Sequence, residues 1–259
     1  MHVYVSPHLD DAVLSCGATI ARLAAAAEDV TVVTVFAGTP TTLPPLASAL
    51  HRKWGLQTVQ ARRVEDIQAC ELLGVDFEHL EYQDAIYRVD AAGKPHYRRL
   101  RLLHGPAAAE DGVVLESVAR RLVDLLAGWP GAHIYGPAAV GSHVDHALTR
   151  RAVEIACRLL PQQDVKPLLY EDLPYACRQE DPVAAGPGRE VLSACSAQDW
   201  DRKISAVERY SSQLDMLWPE RDWVRELHQH SARIRSRDDH YVERSWIADG
   251  ADEPAAVGG

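Results

Sequence analysis

Val3-Tyr4-Val5-Ser6-Pro7-His8-Leu9-Asp10-Asp11, followed by Ala12 to Ala26 and then Val30-Thr31-Val32-Val33-Thr34-Val35-Phe36, decides the fold. The first triplet is β-branched and aromatic, as a buried strand requires. Ser6 to Asp11 interrupts it. Residues 12–26 are mostly helix formers, with Val13, Ile20 and Leu23 among the apolar positions. Asp10 and Asp11 stand where such a helix begins, facing the positive end of its dipole. Val30 to Phe36 is almost unbroken β-branched or aromatic sequence and reads as a strand buried on both faces. Strand, helix and strand in this order predict a βαβ unit and a parallel sheet.

Outward from this unit, Gly38 to Gly55 contains Pro40, Pro44 and Pro45 and reads as a long loop. Thr58 to Leu73 reads as a helix ended by Gly74. Val75 to Tyr82, His133-Ile134-Tyr135 and Pro167 to Tyr170 read as further strands. Val113 to Ala127, His143 to Leu160, Trp200 to Tyr210 and Trp223 to Arg235 read as helices. The expected architecture is α/β and Rossmann-like, a mainly parallel sheet flanked by helices on both faces. It is expected to form one domain over residues 1–247, with residues 248–259 a frayed, flexible tail.

Composition narrows the function. Of 259 residues, 47% are hydrophobic and 25% charged, which is ordinary globular composition. The net charge of −10 argues against a phosphate-backbone partner, so no nucleic acid is expected. No apolar run is long enough to span a bilayer, and the start shows no signal-peptide pattern. Cys16, Cys70, Cys157, Cys177 and Cys195 are scattered, as reduced thiols of a cytoplasmic protein are.

Two short segments carry chemistry: His8-Leu9-Asp10-Asp11 and His143-Val144-Asp145-His146. Both follow predicted strands, where an α/β sheet places its ligands. Each puts imidazole and carboxylate within three residues. Three such groups suffice for a catalytic divalent ion, and the remainder can serve as acid and base. Zinc suits the mixture best, and iron or cobalt fit the same donors. The alternative is helix capping, by Asp10 and Asp11 in one turn and His143 or Asp145 in the other. A nucleotide-binding module would need a glycine-rich turn after the first strand, and this turn has none.

Ser6-Pro7-His8-Leu9-Asp10-Asp11 resembles the first signature of the LmbE-like, or PIG-L, zinc-dependent N-deacetylases, and His143-Val144-Asp145-His146 resembles their second. Arg62 and Glu65 followed by Leu73-Gly74 resemble the family's R-x-x-E helix, and Lys203 with Tyr210-Ser211-Ser212-Gln213 resembles its late K…YxSQ segment. The likeness runs from residue 3 to about 213. Leu9 and Val144 stand where the signatures have proline, and Ala12 stands where many members have Glu.

The resemblance implies roles. His8, Asp11 and His146 would hold the metal. Asp10 would be the general base, His143 would stabilise the oxyanion or protonate the leaving amine, and Asp145 would orient a histidine. Arg62 and Asp84 would contact sugar hydroxyls; alternatively, Arg62 pairs on the surface with Glu65 or Asp66. Trp54, Tyr82, Tyr87 and Trp218 either line the acceptor side or pack in the core. The basic stretch Arg88 to Arg101 either meets an anionic substrate or is a solvated loop. The implied activity is removal of acetyl from an N-acetylglucosamine moiety, with a small amino-sugar conjugate as partner. An amidase cutting a larger acyl conjugate and a non-catalytic carbohydrate-binding domain are the alternatives.

Overall fold

Burial on both faces is what the valine-rich strands require, and the computed structural model, which describes residues 1–54, 58–160, 165–178, 188–234 and 241–248, shows it. β1 (His2–Ser6) leads into α1 (Asp11–Ala25), then β2 (Val30–Thr34), α2 (Pro45–Trp54), α3 (Val59–Leu73) and β3 (Asp76–His79). α4 (Gly112–Leu126), β4 (His133–Pro137), α5 (Val144–Leu159) and β5 (Leu168–Tyr170) follow. β6 (Gly188–Cys195), α6 (Ala197–Val207), α7 (Ser211–Leu217), α8 (Trp223–Ile234) and β7 (Tyr241–Ala248) complete the described chain.

The sheet order is β3-β2-β1-β4-β5-β7-β6. β1 pairs in parallel with β2, Val3 opposite Thr31, and with β4, His2 opposite His133. Side-chain alternation splits the core. Tyr4 and Val32 enter one apolar cluster, with α1 and α6 residues. Val3, Val5 and Val33 enter the other, with α4 and α5 residues. Helices therefore cover both faces, as expected.

The last third of the chain differs from expectation. β7 runs antiparallel to both β5 and β6, and neither β6 nor β7 was expected from the sequence. β6 is largely solvent-facing and lacks a run of apolar residues. Ala248, assigned to the tail, ends β7, while 249–259 lie outside the described residues. The loop expected over Gly38–Gly55 contains α2. Pro45 opens it, at a first-turn position where a missing N–H costs nothing. Among the described residues no helix is long and apolar enough to cross a membrane.

Two ties bind the late helices to the first half. Lys203 on α6 is fully buried, with Nζ 2.7 Å from Glu243 Oε1 on β7. The Glu243 carboxylate also accepts from the backbone N–H groups of Ala18 and Thr19 on α1. Gly17 makes room for this packing: a Cβ there would lie 2.9 Å from Lys203 Cγ. In the second tie, Glu65 on α3 accepts from Ser211 Oγ and from the N–H and Oγ of Ser212, while Asp66 accepts from the Tyr210 hydroxyl. The R-x-x-E and YxSQ segments thus hold each other.

Lys203→Met leaves Glu243 buried without its cation, and we expect a loss of about 3–5 kcal/mol of stability. The urea unfolding midpoint measures this; an unchanged midpoint would show that the pair contributes nothing.

Candidate active site

Parallel strands deliver their following turns to one edge of a sheet, and four such turns meet here. They follow β1, β3, β4 and β5. The turn after β1 is fixed locally: Ser6 Oγ donates to the His8 carbonyl and accepts from Ala12 N–H, and His8 N–H donates to Asp11 Oδ2. Leu9 and Val144, in place of proline, are buried together with Ala85, Ile86 and Leu103 in a third apolar cluster. The two signature turns are thereby packed against one floor. The turn after β4 is strained, with Ala139 and Ser142 at φ of 63° and 57°. Gly141, at φ 84°, admits the Tyr175 ring, which a Cβ would approach to 2.6 Å.

His8, Asp11 and His146 converge. Asp11 Oδ2 lies 3.0 Å from His8 Nδ1 and 3.2 Å from His146 Nε2. The rings of His8, His143 and His146 stand 5.1–5.4 Å apart. His8 Nε2 is 3.0 Å from Asp145 Oδ2 and 3.6 Å from Asp84 Oδ2. Asp10, also buried, makes no close contact with these rings; its nearest cation is Arg62, at 3.8 Å. All eight residues singled out in the sequence, His8, Asp10, Asp11, Arg62, Asp84, His143, Asp145 and His146, fall in or against this cluster. Arg62 points to Asp10, and its paired surface alternative is not what the fold adopts.

Electrostatics divides the two adjacent carboxylates. Burial pushes Asp10 up to about 7, helped by the charge of Asp11 and opposed by Arg62. Burial acts on Asp11 in the same direction, but His146 and His8 outweigh it and hold Asp11 well below the usual carboxylate range. Burial, together with the neighbouring His8, pushes His143 well below the ordinary histidine value and so keeps it neutral. His143 Nδ1 accepts from Asp145 N–H at 3.3 Å, which leaves Nε2 to carry the proton.

The donor set suits a divalent ion. His146 Nε2 is buried without a hydrogen-bond partner, although Asp11 Oδ2 is only 3.2 Å away. Its Nδ1 lies 2.6 Å from Asp172 Oδ1, so with the proton held there Nε2 can offer an ion its lone pair. His8 repeats the scheme, Nε2 toward Asp145 and Nδ1 toward Asp11. Carboxylates placed behind imidazoles in this way are the usual supports of metal-ligating histidines.

Asp172 escaped the sequence reading. Its one cue was a carboxylate two residues past a strand, with no histidine beside it and no place in either signature. Arg88 was grouped with a basic stretch; it is buried instead, 2.9 Å from Asp111 Oδ2 and 2.7 Å from Asp145 Oδ1. Of the aromatic residues, Trp218 packs in the core and Tyr87 is buried with its hydroxyl on His51. Tyr82 meets Ser117, and Trp54 stacks under Lys53.

Asp172→Asn removes the carboxylate behind His146, and we expect affinity for an added divalent ion, with zinc as the probe, to fall about 10–100-fold. Competition with a chromophoric chelator measures it; unchanged affinity would show that Asp172 does not support the ligand.

The profile of the family described as PIG-L, GlcNAc-PI de-N-acetylase, matches residues 3–157. The chain is 32% identical to a 2'-N-acetylparomamine deacetylase of Streptomyces fradiae over 238 residues, covering 88% of this chain and 77% of that one. It is 29% identical to the enzyme of the same name from Niallia circulans, covering 84% of this chain and 82% of that one. The crystal structure of the zinc-inhibited form of teicoplanin deacetylase superposes with a TM-score of 0.83 at 31% identity, over 96% of this chain and 99% of that one. With a profile match over more than half of its length and a relative 32% identical across most of it, the chain belongs to the PIG-L family.

Proposed function

We propose that this protein is a zinc-dependent N-deacetylase that removes acetyl from the nitrogen of an N-acetylglucosamine moiety in a glycoside or glycoconjugate. The carrying observation is the meeting of His8, Asp11 and His146 around one carboxylate oxygen, beside a buried carboxylate, Asp10, that makes no close contact with those rings. The proposal takes residues 1–247 as one catalytic domain working in the cytoplasm, where its unpaired cysteines stay reduced. The names of the similar proteins support the reaction class: one is a 2'-N-acetylparomamine deacetylase and the other a teicoplanin deacetylase.

His8 Nδ1, an Asp11 oxygen and His146 Nε2 would hold the ion. Bound zinc supplies Lewis acidity, which makes water acidic near neutral pH and polarises a carbonyl. Asp10 accepts the proton of the attacking water; a carboxyl raised toward neutrality is a suitable base. His143 Nε2–H donates to the oxygen on which negative charge develops, and the proton that Asp10 took from water passes to the departing amine. Asp145 and Asp172 fix the tautomers of His8 and His146. Arg62, behind Asp10, and Asp84, with its side chain partly open, would meet sugar hydroxyls.

Zinc-loaded protein should release acetate from an N-acetylglucosaminide, and chelation should stop the release until zinc is restored. Asp10→Asn should keep its zinc by elemental analysis and lose about 10²–10⁴-fold in rate. Full activity in that variant would remove Asp10 as the base.

A further inference from the structure

Between β3 and α4 the chain forms neither a strand nor an α-helix, yet it encloses a buried charge. Arg88 lies inside this connection, over the rings of Phe36 and Tyr97. Its Nη2 is 2.9 Å from Asp111 Oδ2. Its Nη1 is 2.7 Å from Asp145 Oδ1 and donates to the Gln83 carbonyl. Asp111, fully buried at the far end of the connection, also accepts from the Tyr97 hydroxyl and lies 2.9 Å from His96 Nδ1. The connection is thus folded around one guanidinium, and that guanidinium reaches the site.

Asp145 is held from two sides. Its Oδ2 accepts from Ala85 N–H and stands 3.0 Å from His8 Nε2. Its Oδ1 is buried and has no hydrogen-bond partner among the described residues, so the charge of Arg88 is what compensates it. With Oδ1 drawn to Arg88, Oδ2 stays turned to His8, and the opposite nitrogen of that ring, Nδ1, stays turned to Asp11 at 3.0 Å. A continuous line of contacts therefore runs from Asp111 through Arg88, Asp145 and His8 to Asp11. Arginine suits its place in this line because one planar fork sends two nitrogens to two carboxylates, whereas an ammonium is a single point charge.

We infer that Arg88 is a positioning residue of the proposed metal centre: braced by Asp111, it holds Asp145 in the orientation that presents the His8 ring to the ion. The inference rests on the metal-dependent reading and adds to its site a residue that touches neither ion nor substrate. An ion pair that served stability alone would show the same distances, but it would not act on the ion through Asp145.

A double-mutant cycle separates the two, with zinc affinity read by competition with a chromophoric chelator. Arg88→Lys should bind zinc about tenfold more weakly than the wild type. Arg88→Lys/Asp145→Asn should bind it no more weakly than Asp145→Asn alone, because the carboxylate through which Arg88 acts is already gone. Arg88→Lys/Asp172→Asn, which alters the support of His146 instead, should show the product of the two separate losses. If Arg88→Lys does not fold, Asp111→Asn takes its place in the same cycle, with the same pattern expected and a smaller loss. Unchanged affinity in the single variant, or losses that multiply when it is combined with Asp145→Asn, would overturn the inference and leave Arg88 a core ion pair while the metal site stands. If the wild-type protein takes up no zinc, the metal-dependent reading fails and the inference falls with it.

Discussion

Charge confined in a buried pocket is the constraint on which the rest of the structure depends. His8, Asp10, Asp11, Asp145, His146 and Asp172 are all buried, and a charge removed from water persists only when other groups compensate it. The compensation is arranged in layers. Asp11 stands between two imidazoles, each imidazole leans on a further carboxylate, and Arg88 balances Asp145 and Asp111 from behind. Asp10 is the exception. Burial raises its carboxyl, with Arg62 at 3.8 Å only partly opposing it, while the two imidazoles outweigh burial at Asp11 and lower its carboxyl. Two adjacent residues of the same type thereby acquire opposite tendencies, and this division is what the proposed chemistry uses.

The scaffold makes the arrangement possible by topology. β1 and β4 are neighbours in the sheet, so their following turns lie side by side although His8 and Asp145 are 137 positions apart. Leu9 and Val144 lock the two turns onto one apolar floor, which explains how apolar residues serve where the related signatures have proline. Away from the site, Glu65 and Asp66 hold the segment around Ser212, and Lys203 ties α6 to β7. These motif residues tie the late helices to the rest of the fold.

The family resemblance and the geometry support the reading independently. The resemblance named three ligands and a base. The structure adds an orphaned imidazole nitrogen, His146 Nε2, pointing at the Asp11 oxygen, and it adds Asp172, which no signature residue foretold.

The amino-acid sequence by itself determined the βαβ start, the capped helix from Val59 to Leu73 and the two turns that carry histidine and aspartate, because these follow from local periodicity and turn chemistry. It also limited α2 poorly: prolines mark both loops and first helical turns, and only packing of Ala47 into the third cluster distinguishes them. β6 was illegible because an edge strand that is half solvent-facing carries no apolar run, and β7 because the middle of this buried strand, Glu243-Arg244-Ser245, is polar. Tertiary structure alone decided that Asp172 meets His146, that Arg88 lies buried against Asp145, and that Arg62 turns to Asp10 instead of its helical neighbours. Such pairings depend on which strands are adjacent, and strand order is set by long-range hydrogen bonding and burial that no local pattern records.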